Sequence, residues 1–136
     1  MKLTRSNQQK TRKGPSENFS GGDVYISGSF AGDGPSRVTG ATVTFTPGAR
    51  SNWHTHPIGQ TLLVTEGVGR TQCEGEDIVE IRAGDIIWCP PDHKHWHGAS
   101  STQAMTHIAI QEQQDGVAVK WLEPVTDEEY AKGPAS

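Results

Sequence analysis

Glycine and proline interrupt this chain so often that long regular elements have little room. Among 136 residues there are 16 glycines and 8 prolines, and only 32% of the residues are hydrophobic. Between these breaks apolar and polar residues alternate, as in residues 23–30 and 37–48, and alternation with a period of two is typical of half-buried β-strands. The pattern predicts an all-β fold of many short strands, arranged as a sandwich or a barrel.

The same breaks divide the rest of the chain into further strands, a turn and one helix. A chain reversal is predicted at Val68 and Gly69. Thr126 precedes Glu129 with the spacing of a capping box, which predicts a short C-terminal helix over residues 126–133. Residues 70–84 are predicted to form a hairpin. The other predicted strands cover residues 59–67, 85–91, 92–100, 104–113 and 117–125.

Charge is distributed unevenly along the chain. Residues 1–18 hold five basic residues and one acidic residue, a net charge of +4, so residues 19–136 carry −8 and the whole chain −4. Because no aromatic residue is interleaved with the basic ones, we interpret residues 1–18 as a polar basic arm that docks on an acidic surface, without a nucleic-acid partner. Residues 19–136 are long enough to form a single domain with its own core.

The sequence predicts a cytoplasmic protein without a membrane partner. No apolar run approaches the roughly 20 residues that span a bilayer, and the first ten residues lack the apolar segment of a secretion signal. Cys73 and Cys89 do not form a CxxC motif. We expect both to be reduced thiols.

The six histidines are concentrated between positions 54 and 107, and five of them belong to two short stretches. Residues i and i+2 of a strand share a face, so His54 and His56 point the same way, as do His93, His95 and His97 if that segment is extended. Imidazole is the commonest metal ligand in proteins. Two such faces that meet inside a barrel predict a metal site.

The segments around these histidines resemble the two cupin motifs in order and spacing. The first motif is matched by Gly48, His54, His56, Gln60 and Gly67, and the second by Gly84, Pro90, Asp92 and His95. Gln60 stands where the first motif usually has glutamate, and Asp92 where the second usually has glycine. The resemblance implies a cupin double-stranded β-barrel, or jelly roll, which carries the short C-terminal helix. It also implies a divalent metal bound by His54, His56, Gln60 and His95.

Three longer stretches are similar to the bacterial cupin hydroxynitrile lyases, which are small manganese-dependent enzymes. They are GATVTFTPGARSNWHTHPIGQTLLVTEGVG, KHWHGASSTQAMTHIAIQE and WLEPVTDEEY. The resemblance implies a carbon–carbon lyase that interconverts a cyanohydrin, such as (R)-mandelonitrile, with an aldehyde and HCN. It implies Mn²⁺ as the metal and leaves Fe²⁺ and Zn²⁺ open. Glutamine at position 60 belongs to this pattern.

A glutamine ligand would change the charge of such a site. An amide oxygen is a hard but neutral donor, so three imidazoles and Gln60 would leave the double positive charge of the ion uncompensated. The ion would be a stronger Lewis acid, and a trivalent iron state would be less favoured. The alternative is that Gln60 only donates or accepts a hydrogen bond beside the ligands.

Cyanohydrin cleavage also needs a base for the hydroxyl proton, and a neutral histidine suits this role near pH 7. His107 is the first candidate, His97 the second, and Gln111 is expected to position the substrate as a hydrogen-bond donor. A core histidine bonded to a neighbouring strand is the alternative for His107. His93 follows a turn and is expected to be exposed.

An apolar pocket wall would suit an aldehyde or a cyanohydrin. Trp53 and Trp96 flank the histidines and are expected either to shield the site from water or simply to pack. The candidates for the pocket wall, each of which has structural core as the alternative, are Ala41, Val43, Phe45, Leu62, Val64, Trp96 and Met105.

Two other functions fit the cupin motifs. One is a metal-dependent oxygenase of the quercetinase-like or thiol-dioxygenase-like kind, and the other is a non-enzymatic cupin that binds a small ligand. Exposed strand edges of a short barrel usually need cover. We therefore expect a homodimer or homotetramer, with the N-terminal strand donated across an interface.

Overall fold

The computed structural model describes residues 1–134, which form twelve strands, one 3₁₀-helix and one α-helix. The first six strands are β1 (Arg12–Lys13), β2 (Phe19–Ser20), β3 (Val24–Ala31), β4 (Val38–Phe45), β5 (Arg50–Ser51) and β6 (His54–Thr55). The last six are β7 (Gln60–Cys73), β8 (Val79–Arg82), β9 (Ile86–Cys89), β10 (His95–Ala99), β11 (Met105–Glu112) and β12 (Lys120–Trp121). The 3₁₀-helix covers Ser6–Gln8 and the α-helix, α1, covers Asp127–Ala131. The all-β fold predicted from the sequence is confirmed.

The strands pair antiparallel in one sheet that curls on itself. Its hydrogen-bonded path runs β1-β3-β4-β11-β7-β10-β5-β2, while β8 and β9 pair with β7, and β6 pairs with β10 and β12. The first half of β7 pairs with β11 and β9, and its second half pairs with β10 and β8. One long strand therefore belongs to both walls of the barrel.

The predicted chain reversal at Val68 and Gly69 is wrong, because β7 continues through both residues. Gly67 adopts a φ of +77° in the middle of β7, a left-handed conformation that glycine adopts without steric cost. A Cβ atom at this position would lie 1.9 Å from the carbonyl oxygen of Ala104. The glycine thus bends the strand from one wall to the other, and the hairpin that follows joins β7 to β8 as predicted.

Two apolar clusters stabilise the barrel. The first lies between the walls and contains Val24, Val43, Phe45, Ala49, Val64, Ile81, Ala99 and Met105. The second lies outside, where the C-terminal segment packs, and contains Trp53, Ile78, Trp96, Val125 and Tyr130. Alternate residues of β10 face the two clusters, since side chains of a strand point to opposite faces in turn.

The C-terminal helix forms as its capping box predicts. Thr126 Oγ1 accepts a hydrogen bond from the Glu129 amide, and Glu129 Oε1 accepts one from the Thr126 amide, both at 3.0 Å. The helix is held to the barrel by Tyr130, whose hydroxyl donates to the Ala99 carbonyl oxygen at 2.7 Å. The guanidinium groups of Arg50 and Arg70 lie 4.8 and 4.6 Å from the Tyr130 ring centroid.

The N-terminal segment contains a 3₁₀-helix and a short strand. Within it, Arg12 and Lys13 pair with β3, and Lys13 Nζ lies 3.0 Å from an Asp23 carboxylate oxygen. The division of the chain at residue 18 stays a prediction. The last predicted strand is much shorter than expected: of residues 117–125, Lys120 and Trp121 form a strand that pairs with β6, and Val117 forms an isolated bridge with Gln114.

Two further expectations concern the described residues as a whole. Cys73 and Cys89 are free thiols, as expected. Within residues 1–134 the helices are too short to cross a membrane.

The bend in β7 generates a stability prediction. We expect Gly67→Ala to lower the free energy of unfolding by about 3 kcal/mol or more, because it combines the strain of a positive φ with a collision against backbone. Gly75 is a matched control, since its φ is +83° but no atom lies within 4 Å of the position that an alanine Cβ would occupy. Gly75→Ala should cost only about 1–2 kcal/mol. Urea unfolding followed by tryptophan fluorescence measures both, and equal losses would contradict a close approach at Gly67.

Candidate metal centre

Three buried histidines meet where β6 pairs with β10. His95 lies opposite His54 in this pairing, and His97 lies two residues further along the same face of β10. One ring nitrogen from each of His54, His95 and His97 lies within 4.8 Å of the others. His56 borders this group, with its ring centroid 5.0 Å from that of His54 and 5.4 Å from that of His95.

The backbone orients three of these rings in the same way. Nδ1 lies 2.8 Å from the Asn52 carbonyl oxygen in His54, 2.8 Å from the Ala118 carbonyl oxygen in His56, and 2.9 Å from the His93 carbonyl oxygen in His95. A carbonyl oxygen only accepts, so each Nδ1 carries the hydrogen of the neutral ring. Each Nε2 then keeps a free lone pair, which is the arrangement found in metal-binding histidines.

Burial keeps these rings neutral. It lowers the pKa of His54 well below its ordinary value, lowers that of His56, and lowers that of His95 to about 4. Neighbouring histidines depress the pKa of His54 and His95 further, because a second positive charge nearby is unfavourable. Near pH 7 the Nε2 nitrogens are therefore unprotonated and available as ligands.

Gln60 completes the group from the first residue of β7. It is only 4% exposed, and its Oε1 faces His95 Nε2 at 3.3 Å. Both atoms are acceptors in this tautomer, so their lone pairs repel one another unless a positive charge lies beside them. His56 Nε2 is likewise buried without a hydrogen-bond partner. These residues fit a divalent cation, and none of them is a carboxylate.

Comparison with known proteins agrees with this arrangement. Residues 41–110 match the cupin domain model Cupin_2, which covers both histidine stretches. The chain belongs to the cupin family. It is 53% identical over 132 residues to a protein of Granulicella tundricola named (R)-mandelonitrile lyase, covering 97% of this chain and 100% of that one.

Solved cupin structures share the fold. A cupin-like protein of Thermotoga maritima has a TM-score of 0.82 and 39% identity, covering 88% of this chain and 90% of that chain. A cupin 2 conserved barrel domain protein of Rhodopseudomonas palustris has a TM-score of 0.69 at 15% identity, covering 96% of this chain and 89% of that one, and it supports the fold alone. The double-stranded β-barrel implied by the sequence motifs is thus confirmed.

His97 of this histidine group also pairs with a further buried histidine, His107. His107 Nε2 lies 3.1 Å from His97 Nδ1, while His97 Nε2 and His107 Nδ1 are buried without partners. Burial lowers the pKa of His97 well below its ordinary value and that of His107 to about 4. The Phe45 ring packs against both imidazoles, at centroid distances of 5.9 and 5.3 Å. His93, in contrast, is exposed as expected.

Gln111 lies next to the site but is oriented differently from the expected substrate donor. Its Nε2 points to Thr39, 2.8 Å from the hydroxyl and 3.4 Å from the carbonyl oxygen. Its Oε1 accepts a hydrogen bond from Gln60 Nε2 at 3.0 Å. Both ends of this amide are therefore engaged by protein groups.

The predicted pocket wall divides into two parts. Six of the seven candidates face the interior of the barrel. Val43, Phe45, Val64 and Met105 belong to the first cluster. Leu62 is buried on the same face of β7 as Val64, and Ala41 is half-buried on the same face of β4 as Val43. Trp96 is the exception, because it lies between His95 and His97 and therefore points to the opposite face of β10. Its Nε1 donates to Gln72 Oε1 at 2.8 Å, and it packs in the second cluster with Trp53.

Trp121 is the aromatic residue that packs on His54, and no sequence pattern indicated this contact. Its ring centroid lies 4.9 Å from that of His54 and 5.6 Å from that of Phe19. The segment before it supplies the Ala118 carbonyl oxygen that orients His56. The contact depends on the pairing of β12 with β6, which involves only two residues of each strand and is not indicated by any local sequence pattern.

The buried His107 generates a pH prediction for the metal-free protein. An unfolded histidine titrates near pH 6.5, whereas the pKa of folded His107 is about 4. Between these values the unfolded chain binds the extra proton, so stability falls as the pH drops below about 6.5, by about 1.4 kcal/mol per pH unit for one such group. We expect His107→Gln to lessen this slope in urea unfolding between pH 7 and pH 5, by an amount that grows toward that limit as the pH approaches 5. Parallel curves for the two proteins would contradict a neutral, buried His107.

Proposed function

We propose that this cupin is a metal-dependent hydroxynitrile lyase that cleaves or forms cyanohydrins such as (R)-mandelonitrile. The observation that carries the proposal is a buried group of neutral nitrogen and oxygen donors in a chain 53% identical, over nearly its full length, to a protein named (R)-mandelonitrile lyase. The substrates would be a small aldehyde and cyanide.

We propose His54, His56, Gln60 and His95 as the ligands of the metal, and Mn²⁺ as its identity, with Fe²⁺ and Zn²⁺ as alternatives. Nitrogen and oxygen donors of this kind suit all three ions. When bound, the ion would supply Lewis-acid stabilisation for the alkoxide oxygen and the departing cyanide. Because the four side chains carry no charge, they would leave the positive charge of the ion uncompensated, which favours polar chemistry over oxygen activation.

His97 and His107 are proposed to move the proton. Cleavage transfers the hydroxyl proton to a base, breaks the bond between the carbinol carbon and cyanide, and returns a proton to cyanide. His97 lies nearer to the proposed ligands, and its Nε2 has no partner, so it is placed to accept the proton. In that tautomer His97 Nδ1–H donates to His107 Nε2, and His107 then stabilises the imidazolium. This reverses the order expected from the sequence, in which His107 is the first candidate.

The apolar side chains of the first cluster are proposed to contact the substrate. Val43, Phe45, Val64 and Met105 offer hydrocarbon surface beside the histidine pair, and Leu62 and Ala41 lie on the same faces of β7 and β4. An aromatic or aliphatic aldehyde suits such a wall. Gln111 would act on the reaction indirectly, through Gln60.

A homodimer or homotetramer in the cytoplasm completes the proposal. Phe30, Ile86 and Trp88 are 47%, 72% and 58% exposed, and exposed apolar residues on strands of this kind favour contact with another copy. Free thiols at Cys73 and Cys89 are usual in a reducing compartment.

Cyanide release tests the proposed activity directly. The Mn²⁺-loaded protein should cleave (R)-mandelonitrile to benzaldehyde without consuming oxygen, and EDTA should abolish cleavage until Mn²⁺ is restored. A benzaldehyde absorbance assay, an oxygen electrode and elemental analysis of the same sample measure the three quantities. Metal-loaded protein that releases no cyanide from a panel of aromatic and aliphatic cyanohydrins would contradict the proposal, and oxygen uptake with a diol or thiol would favour an oxygenase.

The variant Gln60→Glu, compared with the wild type in the same assays, tests the importance of the neutral ligand. The variant keeps an oxygen donor at the same position but adds a negative charge. We expect equal or tighter Mn²⁺ binding together with lower cyanohydrin cleavage, because the added charge weakens the Lewis acid. Unchanged cleavage at full metal occupancy would show that the neutral amide has no electrostatic importance.

The roles of the two histidines are separated by paired substitutions. His97→Gln should lower kcat by about 10²- to 10⁴-fold, the range for loss of a general base, while His107→Gln should lower it by about tenfold through the weaker support of His97. Both variants should retain their metal. A larger loss of kcat in His107→Gln than in His97→Gln would instead identify His107 as the base.

A further inference from the structure

Three polar side chains form one row across the barrel wall beside the proposed metal site. In the antiparallel register, Gln111 of β11 lies directly opposite Thr39 of β4 on one side and Gln60 of β7 on the other. Residues directly opposite one another are the closest cross-strand neighbours. The row therefore connects the half-buried Thr39, outside the sites assigned so far, to the proposed ligand Gln60.

The hydrogen bonds of this row have a definite direction. The Thr39 carbonyl oxygen can only accept, and Gln111 Nε2 lies 3.4 Å from it and 2.8 Å from Thr39 Oγ1. The Thr39 hydroxyl in turn donates to the Gln111 main-chain oxygen at 3.3 Å, which leaves its lone pairs to receive the amide. The NH₂ group of Gln111 must consequently face Thr39, and its Oε1 must face the other way.

The orientation of the Gln111 amide in turn fixes the orientation of the Gln60 amide. Gln111 Oε1 accepts from Gln60 Nε2 at 3.0 Å, so Gln60 Oε1 is the atom that faces His95 Nε2 at 3.3 Å. A reversed Gln60 amide would set its NH₂ toward the metal position and leave two carbonyl oxygens facing each other in a buried place. Buried polar groups without partners are strongly disfavoured.

We propose that Thr39 is a positioning residue that holds the Gln60 amide oxygen toward the metal by acting through Gln111. The proposal rests on the proposed role of Gln60 as a ligand. Thr39 contributes two acceptors, its hydroxyl and its carbonyl oxygen, and only the first depends on the side chain. Side chains that orient metal ligands typically change metal affinity by about 10- to 100-fold when they are removed.

Mn²⁺ affinity, measured by chelator competition on the full-length protein, tests this relay. Thr39→Val removes the hydroxyl while keeping the shape, and we expect about tenfold weaker binding. Gln111→Leu should weaken binding by about 10- to 100-fold. Thr39→Ser should restore the wild-type affinity, since serine offers the same hydroxyl. Thr42→Val is the matched control, because Thr42 lies on the same strand but on its opposite face, and its affinity should equal that of the wild type.

Double substitutions distinguish the relay from a general effect on folding. Thr39→Val should have no further effect on affinity in a Gln60→Ala or a Gln111→Leu background, because Thr39 acts only through these residues. The electron paramagnetic resonance spectrum of bound Mn²⁺ should change in Thr39→Val and return in Thr39→Ser, a readout that a loss of stability alone does not move.

Three outcomes would overturn the proposal in different ways. If Gln60→Ala weakens Mn²⁺ binding but Thr39→Val does not, the relay is wrong while Gln60 remains a ligand. If Gln60→Ala leaves Mn²⁺ affinity unchanged, the ligand role of Gln60 fails and the relay fails with it. A Thr39→Val effect of equal size in the Gln60→Ala background would also overturn the relay.

Discussion

The burial of five imidazoles inside a small barrel is the constraint on which the rest of the structure depends. Buried polar groups are costly unless they are hydrogen-bonded, and each of the five is at most 6% exposed. Main-chain carbonyl groups satisfy one nitrogen in each of three rings, and His97 and His107 satisfy one another. His56 Nε2 stays buried without a partner beside His54 and His95, so the same burial that makes the rings neutral also leaves this nitrogen available to a cation.

The path of the chain brings these rings together. β7 contributes Gln60 from its first residue, bends at Gly67, and then pairs with β10, which carries His95 and His97. A strand that belongs to both walls makes the relative position of the walls insensitive to movements of loops. Two contacts come from residues more than sixty positions further along the chain: the Trp121 ring packs on His54, and the Ala118 carbonyl oxygen orients His56.

Neutral donors give the proposed chemistry a consistent physical basis. None of His54, His56, Gln60 and His95 brings a negative charge, and the neighbouring His97 and His107 are neutral as well near pH 7. The amide row through Gln111 adds orientation without adding charge. A site of this composition would keep the electrostatic strength of a bound ion for the substrate, which suits the stabilisation of an alkoxide and of cyanide.

Local patterns predict those parts of the fold that depend on neighbours in sequence. The alternation of residues 38–45, the capping box at Thr126 and the i, i+2 spacing of His95 and His97 all act within a few residues, and each appears in the structure as expected. His93 is exposed and precedes β10, so it does not share the buried face of His95 and His97. The predicted turn at Val68 and Gly69 is wrong because residues distant in sequence decide the conformation there. Glycine is compatible with both a reversal and a bend, and the choice depends on Ala104 and β11, which lie far away in sequence.

The sequence by itself determined the all-β fold, the cupin motifs and which histidines and glutamine can form the proposed site, because residue type and spacing carry that information. Only the tertiary structure decided which way the side chains face: Trp96 turns away from the proposed site, Trp121 packs on His54, and His97 contacts His107 on one side and His54 and His95 on the other. It also set the direction of the Gln60 amide through Gln111 and Thr39. Orientation of this kind depends on cross-strand register and hydrogen-bond direction, which arise only when distant strands pair.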